Sequence, residues 1–69
     1  MVIELVHRSL NVEWAPIGVI RARVHDLYPQ HLYSTNAIRD ALAQLVRIGE
    51  AQLSGPLQHQ QWRLDPTRI

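Results

Sequence analysis

The sequence changes its hydrophobic period at one glycine, Gly49, and this change limits what the chain can fold into. Before Gly49, apolar residues recur every three or four positions, the spacing that places them on one side of an α-helix. After Gly49, apolar and polar residues alternate, as in a β-strand with one buried face. The chain therefore contains a long helix followed directly by β structure. The apolar residues at helical spacing are Ala37, Ile38, Ala41, Leu42, Leu45 and Ile48.

Both ends of this helix carry capping signals. Ser34 is the predicted N-cap because its hydroxyl can accept a hydrogen bond from a first-turn amide, and either of the two polar residues after it is an alternative cap. Tyr33 and Ile38 occupy the two positions of a hydrophobic staple. Gly49 can adopt the left-handed conformation that commonly ends a helix. These signals predict a helix over residues 35–48.

The alternating pattern falls in two short segments, residues 51–54 and 61–64. The stretch between them begins with Gly55 and Pro56, a pair that favours a turn. We therefore predict a β-hairpin with an irregular tip over residues 55–60. The side chains expected to face inward are those of Ala51, Leu53, Trp62 and Leu64.

A second helix is predicted over residues 17–27. Pro16 suits its start, because the amide that proline lacks has no partner in the first turn of a helix. Tyr28 precedes a proline and is therefore disfavoured in the helical conformation, which ends the helix. The connection to the next helix, residues 28–33, is short enough to force a sharp turn. The apolar stripe of this helix consists of Ile20, Val24 and Leu27.

The N-terminal segment has helical spacing as well. Its apolar residues predict a short helix over residues 2–9 that Asn11 closes. Residues 12–14 are expected to form one short extended strand. Trp14, in that strand, and Trp62 are expected to pack in the core or at its rim.

Size and composition exclude several classes of protein. The 69 residues suffice for one small domain, which we place over residues 1–69 with a short tail at 65–69. Cysteine is absent, which excludes disulfides, zinc–thiolate sites and cysteine nucleophiles. No segment is apolar over enough residues to span a bilayer, and the N-terminal segment lacks the pattern of a signal peptide. We expect a soluble cytoplasmic protein with no membrane partner.

No combination of residues typical of an enzyme or a metal site is visible. The four histidines lie on different predicted elements, and no two have the spacing of metal ligands on one helix. His25 and His31 can meet across the turn between the second and third helices, but no carboxylate lies at a matching offset. We therefore predict no enzyme activity, no cofactor and no metal.

The predicted order is helix, short strand, helix, tight turn, helix and hairpin. With the segment STNAIRDALAQLVRIGEAQ and a hairpin ending in QWRL, this order resembles the winged helix-turn-helix superfamily over residues 2–64. The resemblance implies an α+β, mainly α fold, namely a three-helix bundle with a C-terminal β-hairpin wing. It also implies double-stranded DNA as the partner. In that family the third helix, here residues 35–48, enters the major groove, and the wing, here residues 51–64, touches the adjacent backbone or minor groove.

The outer face of the third helix carries side chains suited to DNA. Arg39 can bridge a guanine and Asn36 an adenine. Ser34 can hold a phosphate, and Ala43 leaves room for a backbone or a thymine methyl. Asp40 on the same face repels phosphates unless it is paired. The predicted DNA-binding residues are Ser34, Thr35, Asn36, Arg39, Ala43 and Arg47 on the helix and Gln58, His59 and Arg63 on the hairpin.

Two functions fit this pattern. The first is a small DNA-binding transcriptional regulator or DNA-processing accessory factor that binds a two-fold site as a homodimer. The net charge of +1 is low for a nucleic-acid binder. This low charge favours the alternative, a winged-helix module that docks on another protein, for example a phage or plasmid protein on a host protein.

Overall fold

The computed structural model describes residues 2–68, which form three α-helices followed by a two-stranded antiparallel hairpin. This mainly helical α+β arrangement is winged-helix-like, as the sequence predicts. The predicted helix over residues 35–48 ends one residue earlier, with Ile48 as its C-cap. The elements are α1 (Val2–Ser9), α2 (Ile17–Leu27), α3 (Thr35–Arg47), β1 (Ala51–Ser54) and β2 (Gln61–Leu64).

The predicted caps of α3 are present at both ends. The hydroxyl of Ser34 accepts a hydrogen bond from the amide of Ala37 at 3.1 Å. At the other end, Gly49 has a φ of 82° and donates to the carbonyl of Val46 at 3.1 Å. The amide of the next residue, Glu50, reaches back to the helix at 2.9 Å. These two bonds satisfy carbonyl groups that a helix end leaves open, and they direct the chain into β1.

The core lies where the three helices meet and the hairpin closes over them. α1 packs against both α2 and α3, and α3 also packs against β1. Ile20, Ile38 and Leu42 are completely buried. A domain this small has few large apolar residues, so most of them must contribute to a single core. The buried cluster consists of Val6, Leu10, Ala15, Ile20, Val24, Ile38, Ala41, Leu42, Leu45, Ala51 and Trp62.

The hairpin has the irregular tip that the sequence predicts. β1 and β2 pair antiparallel, with Leu53 opposite Trp62, and the tip contains a 3-10 turn at Leu57–His59. Gly55 has a φ of 93°, and a Cβ atom there would lie 2.5 Å from the carbonyl oxygen of His59. Only glycine fits this position without a shift of the backbone.

The predicted strand over residues 12–14 is not formed. The side chain of Asn11 accepts a hydrogen bond from the amide of Glu13 at 2.9 Å, and the chain bends there. A local side-chain bond of this kind competes with extended backbone. A single bridge forms later, at Ala15, whose amide and carbonyl bond to Trp62 at 3.0 and 2.9 Å. This bridge joins the N-terminal half of the chain to β2.

Three apolar residues predicted to face the core are exposed. Leu53, Leu27 and Ile48 have 43%, 58% and 59% of their surface accessible. Leu27 and Ile48 lie at the C-terminal ends of their helices and remain more than half exposed there. Leu53 shares a face of the hairpin with Trp62, but a groove rather than packed core separates it from α3. The other predicted inward-facing residues are buried (Ala51, Trp62) or partly buried (Leu64).

The chain leaves the hairpin through a short capped turn. The carboxylate of Asp65 accepts hydrogen bonds from the amide and the hydroxyl of Thr67, at 2.9 and 2.7 Å, beside a 3-10 turn at Pro66–Arg68. The predicted domain and tail extend to residues 1 and 69, which lie outside the described residues. Over residues 2–68, no helix is both long enough and apolar enough to cross a bilayer.

Candidate functional site

The outward side of α3 brings together four of the six predicted DNA-binding residues of that helix, and Ser34 and Thr35 lie at its first turn instead. Asn36, Arg39, Ala43 and Arg47 are all exposed. Asn36, Ala43 and Arg47 lie opposite the buried residues of α3, and Arg39 flanks them, because the helix repeats every 3.6 residues. Asp40 is exposed on the same side.

The arginines of this face are not neutralised by carboxylates. Arg39 donates to the side-chain oxygen of Asn36 at 3.4 Å, and neither Arg39 nor Arg47 forms an ion pair with a described residue. The ion pairs that the structure gives for residues 2–68 both involve α1. They join Arg8 to Glu4 at 3.2 Å and His7 to Glu50 at 3.8 Å. Because α1 packs on the buried side of α3, these pairs leave the arginines of the outward face available to a partner.

The first turn of α3 borders a polar cleft. The guanidinium Nε of Arg21 donates to the carbonyl of Tyr33 at 3.2 Å, and the Nε2 atom of His25 lies 3.3 Å from the same oxygen. Both α2 side chains therefore reach the segment that leads into α3. The sequence pattern alone does not place Arg21 at the start of α3. The cleft has a volume of about 320 Å³ and is lined by Gly18, Arg21, Ala22, His25 and Thr35.

The amides at this end of α3 are only partly capped. Ser34 accepts from Ala37 through its hydroxyl and from Ile38 through its carbonyl. The amides of Thr35 and Asn36 precede these and have no partner within the helix, as is usual for a first turn. Together with the positive end of the helix dipole, they form a surface that favours a negative group.

A second groove separates α3 from the hairpin and has a different lining. Arg39, Ala43 and Val46 face it from α3, at the spacing of one helical stripe. Leu53 and Trp62 face it from the inner side of the hairpin. The sequence analysis expected Leu53 to face inward but did not predict that a groove would open in front of it. The groove has a volume of about 310 Å³, and Gln60 completes its lining.

The predicted hairpin residues are divided between the tip and the base. Gln58 and His59 are exposed at the tip, beside a cleft of about 370 Å³ that also touches the start of α2. Leu57 at the same tip is 85% exposed, a feature that the sequence analysis did not single out. Arg63 lies away from the tip and is partly buried. Its Nε donates to Gln52 at 2.7 Å.

The two tryptophans have different roles in the fold. Trp62 is 4% exposed and belongs to the core, while Trp14 is 38% exposed at the rim. The guanidinium carbon of Arg63 lies 4.4 Å from the centre of a Trp14 ring, in a cation–π arrangement. Arg63 is thus held at the base of the hairpin.

The histidines do not form a metal site among the described residues. The rings of His31 and Tyr33 stack with centroids 6.0 Å apart, and His25 approaches the carbonyl of Tyr33. His25 and His31 therefore both lie beside Tyr33 at the interhelical turn.

Comparisons of the chain with protein-family models, curated proteins and solved structures find no match.

Proposed function

We propose that the chain is a winged-helix protein that binds double-stranded DNA, with α3 in the major groove and the β1–β2 hairpin as the wing. The observation that supports this most is the outward face of α3. It carries Arg39 and Arg47, which form no ion pair with a described residue, and the hairpin stands directly beside it. An exposed helix with free donors and a flanking hairpin has the shape that the major groove and its border accept.

In this proposal, the N-terminal half of α3 contacts base edges. Arg39 donates two parallel hydrogen bonds to a guanine, and Asn36 pairs with an adenine. The 3.4 Å bond between these two side chains is long, so exchanging it for bonds to a base costs little. Asp40 accepts a hydrogen bond from the amino group of a cytosine. Its negative charge, which would repel a phosphate, is thus placed against a base edge.

The surroundings of α3 supply the contacts to the DNA backbone. Arg21, the hydroxyls of Ser34 and Thr35, and the open first-turn amides hold one phosphate at the polar cleft. Arg47 meets the backbone further along the helix. At the wing, Gln58 and His59 donate to the neighbouring backbone or minor groove.

We assign this protein the role of a transcriptional regulator or a DNA-processing accessory factor. A single module of this size covers a short site, so specific binding requires a homodimer on a two-fold site. The outer surface of α1 and the tail are the surfaces left for that contact. We also propose a cytoplasmic location for the protein.

The test is the affinity for random duplex DNA as a function of salt. We expect binding at about 50 mM salt that weakens steeply as salt is raised, because each neutralised phosphate releases counterions. Arg39→Ala should lower the affinity for a selected site by about 1–3 kcal/mol and relax the preference for a guanine. Arg8→Ala is the matched control, since Arg8 lies on α1 and pairs with Glu4. Binding that ignores salt, or an equal loss in both variants, would contradict the proposal.

A protein partner is the second candidate, and two observations favour it. Leu57 is 85% exposed at the hairpin tip, and the groove between α3 and the hairpin is mostly apolar. A winged-helix module of a phage or plasmid that docks on a host protein would use such surfaces. Absence of any DNA shift at about 50 mM salt, with a stable protein complex recovered from lysate, would favour this candidate.

A further inference from the structure

The groove between α3 and the hairpin can hold an apolar group but not a phosphate. Ala43, Val46 and Leu53 supply apolar walls, and Arg39 is the one charged residue among the described residues that line the groove. Placing a phosphate against these walls would remove water from its charge with a single cation in return. The polar cleft at the other end of α3 is the better phosphate site.

The groove also holds unused apolar surface. Leu53 remains 43% exposed although it shares the inner face of the hairpin with Trp62, and Ala43 is exposed one turn after Arg39. A ligand that covers these side chains gains from removing apolar surface from water. The same ligand must present a hydrogen-bond acceptor to Arg39.

On the basis of the proposed DNA binding, we propose that this groove selects thymine by enclosing its 5-methyl group between Ala43 and Leu53. Thymine is the base that presents a methyl group in the major groove, and guanine presents the acceptors that suit arginine. Because Arg39 and Ala43 lie one turn apart on α3, the preferred site contains a thymine close to the guanine that Arg39 contacts.

The test compares thymine with uracil, which differs from it by that methyl group alone. A duplex is selected from a random pool, and each thymine of the selected duplex is then replaced in turn by uracil. We expect at least one position at which the replacement lowers affinity about fourfold, the value of one buried methyl group. Other thymines should tolerate the replacement.

Two hairpin variants locate the effect in the protein. Leu53→Ala should bring the ratio of thymine to uracil affinity close to one at the sensitive position. Leu57→Ala is the matched control, because Leu57 is an exposed leucine of the same hairpin that does not line the groove, and it should keep the ratio. Both leucines are exposed, so both variants should fold, which circular dichroism can check.

The outcomes separate this inference from the function on which it rests. Equal affinity for thymine and uracil duplexes at every position would overturn the methyl site and leave DNA binding intact. A fourfold ratio that persists in Leu53→Ala would overturn the assignment to this groove. Failure of the wild-type protein to bind any duplex would overturn both.

Discussion

The two ends of α3 border surfaces of different character. Its first turn faces α2 across a cleft that contains Arg21, His25 and Thr35. Its later turns face the hairpin across a groove with walls formed by Ala43 and Leu53. One helix therefore offers polar donors at its start and an apolar surface further along. In the proposed complex with DNA, one end of α3 therefore contacts the charged DNA backbone, and the other contacts an uncharged methyl group.

The difference has a structural cause in the connections at the two ends of α3. The short turn before it brings α2 side chains close to the exposed first-turn amides, where a polar environment already exists. After α3, the Gly49 cap sends the chain directly into β1. The hairpin then stands beside the helix with its inner face only partly covered.

The largest expected effect on stability comes from removing Trp62, which forms one wall of the apolar groove. Trp62 is 4% exposed, pairs with Leu53 and bonds to Ala15 through its backbone. Trp62→Ala should lower the free energy of unfolding by about 3–5 kcal/mol, because it leaves a large cavity. A domain of this size has little more stability than that, so we expect a mostly unfolded variant in urea titrations.

The matched control for this change is the other tryptophan. Trp14→Ala removes a residue that is 38% exposed and stacks with Arg63. We expect a smaller loss of about 1–2 kcal/mol, because the indole is only partly covered and an exposed cation–π pair contributes about 0.5–1 kcal/mol of it. Equal losses in the two variants would show that the hairpin is not held to the core through Trp62.

A smaller effect should follow from loosening the polar end of α3. Ser34→Ala removes the hydroxyl that accepts from the amide of Ala37. We expect a loss of about 1 kcal/mol in the free energy of unfolding and faster hydrogen exchange of the first-turn amides. Ser54→Ala, at an exposed position of β1, should change stability by less than about 0.5 kcal/mol. A larger loss from Ser54→Ala than from Ser34→Ala would contradict the capping role.

The smallest effect should come from Arg21→Ala, which sharpens the difference between phosphate and base contacts. Removing one phosphate contact should reduce the slope of log affinity against log salt by about 0.9. Sequence preference should stay unchanged, in contrast to Arg39→Ala. Measuring both variants against random and selected duplexes tests this, with Arg8→Ala as the control. A relaxed sequence preference in Arg21→Ala would instead make Arg21 a base-contacting residue.

Local signals predicted the helices and the hairpin well. The predicted bounds of α1 and α2 agree with the structure, and α3 differs by one residue at its end. Each of these elements has a capping or turn signal within a few residues of its ends, such as the Ser34 cap and Gly49. Such signals depend on bonds between near neighbours in sequence, which a sequence displays directly.

One error is local, and the others concern contacts between distant segments. Residues 12–14 look extended, yet the Asn11 turn bends them and moves the bridge to Ala15. Leu53 alternates as an inward-facing residue should, and it does face inward, but no side chain fills the space in front of it. Whether the inner face of the hairpin is covered depends on the distance between the hairpin and α3. The spacing of apolar residues in the sequence carries no information about that distance.

The sequence predicted the part of the candidate site that lies on α3 but not the part contributed by α2. Helical spacing placed Asn36, Ala43 and Arg47 on one outward face with Arg39 beside it, and all four are exposed in the structure. Spacing could not show that Arg21 reaches the carbonyl of Tyr33.

The sequence by itself determined where the elements begin and end and which side of α3 is buried, because capping bonds and the helical period act over a few residues. Only the tertiary structure decided that α2 adds an arginine to the start of α3, that Arg63 lies against Trp14, and that an apolar groove opens beside Ala43. These features arise from packing between segments far apart in the chain, where the angle and separation of the elements decide which surfaces meet and which stay open.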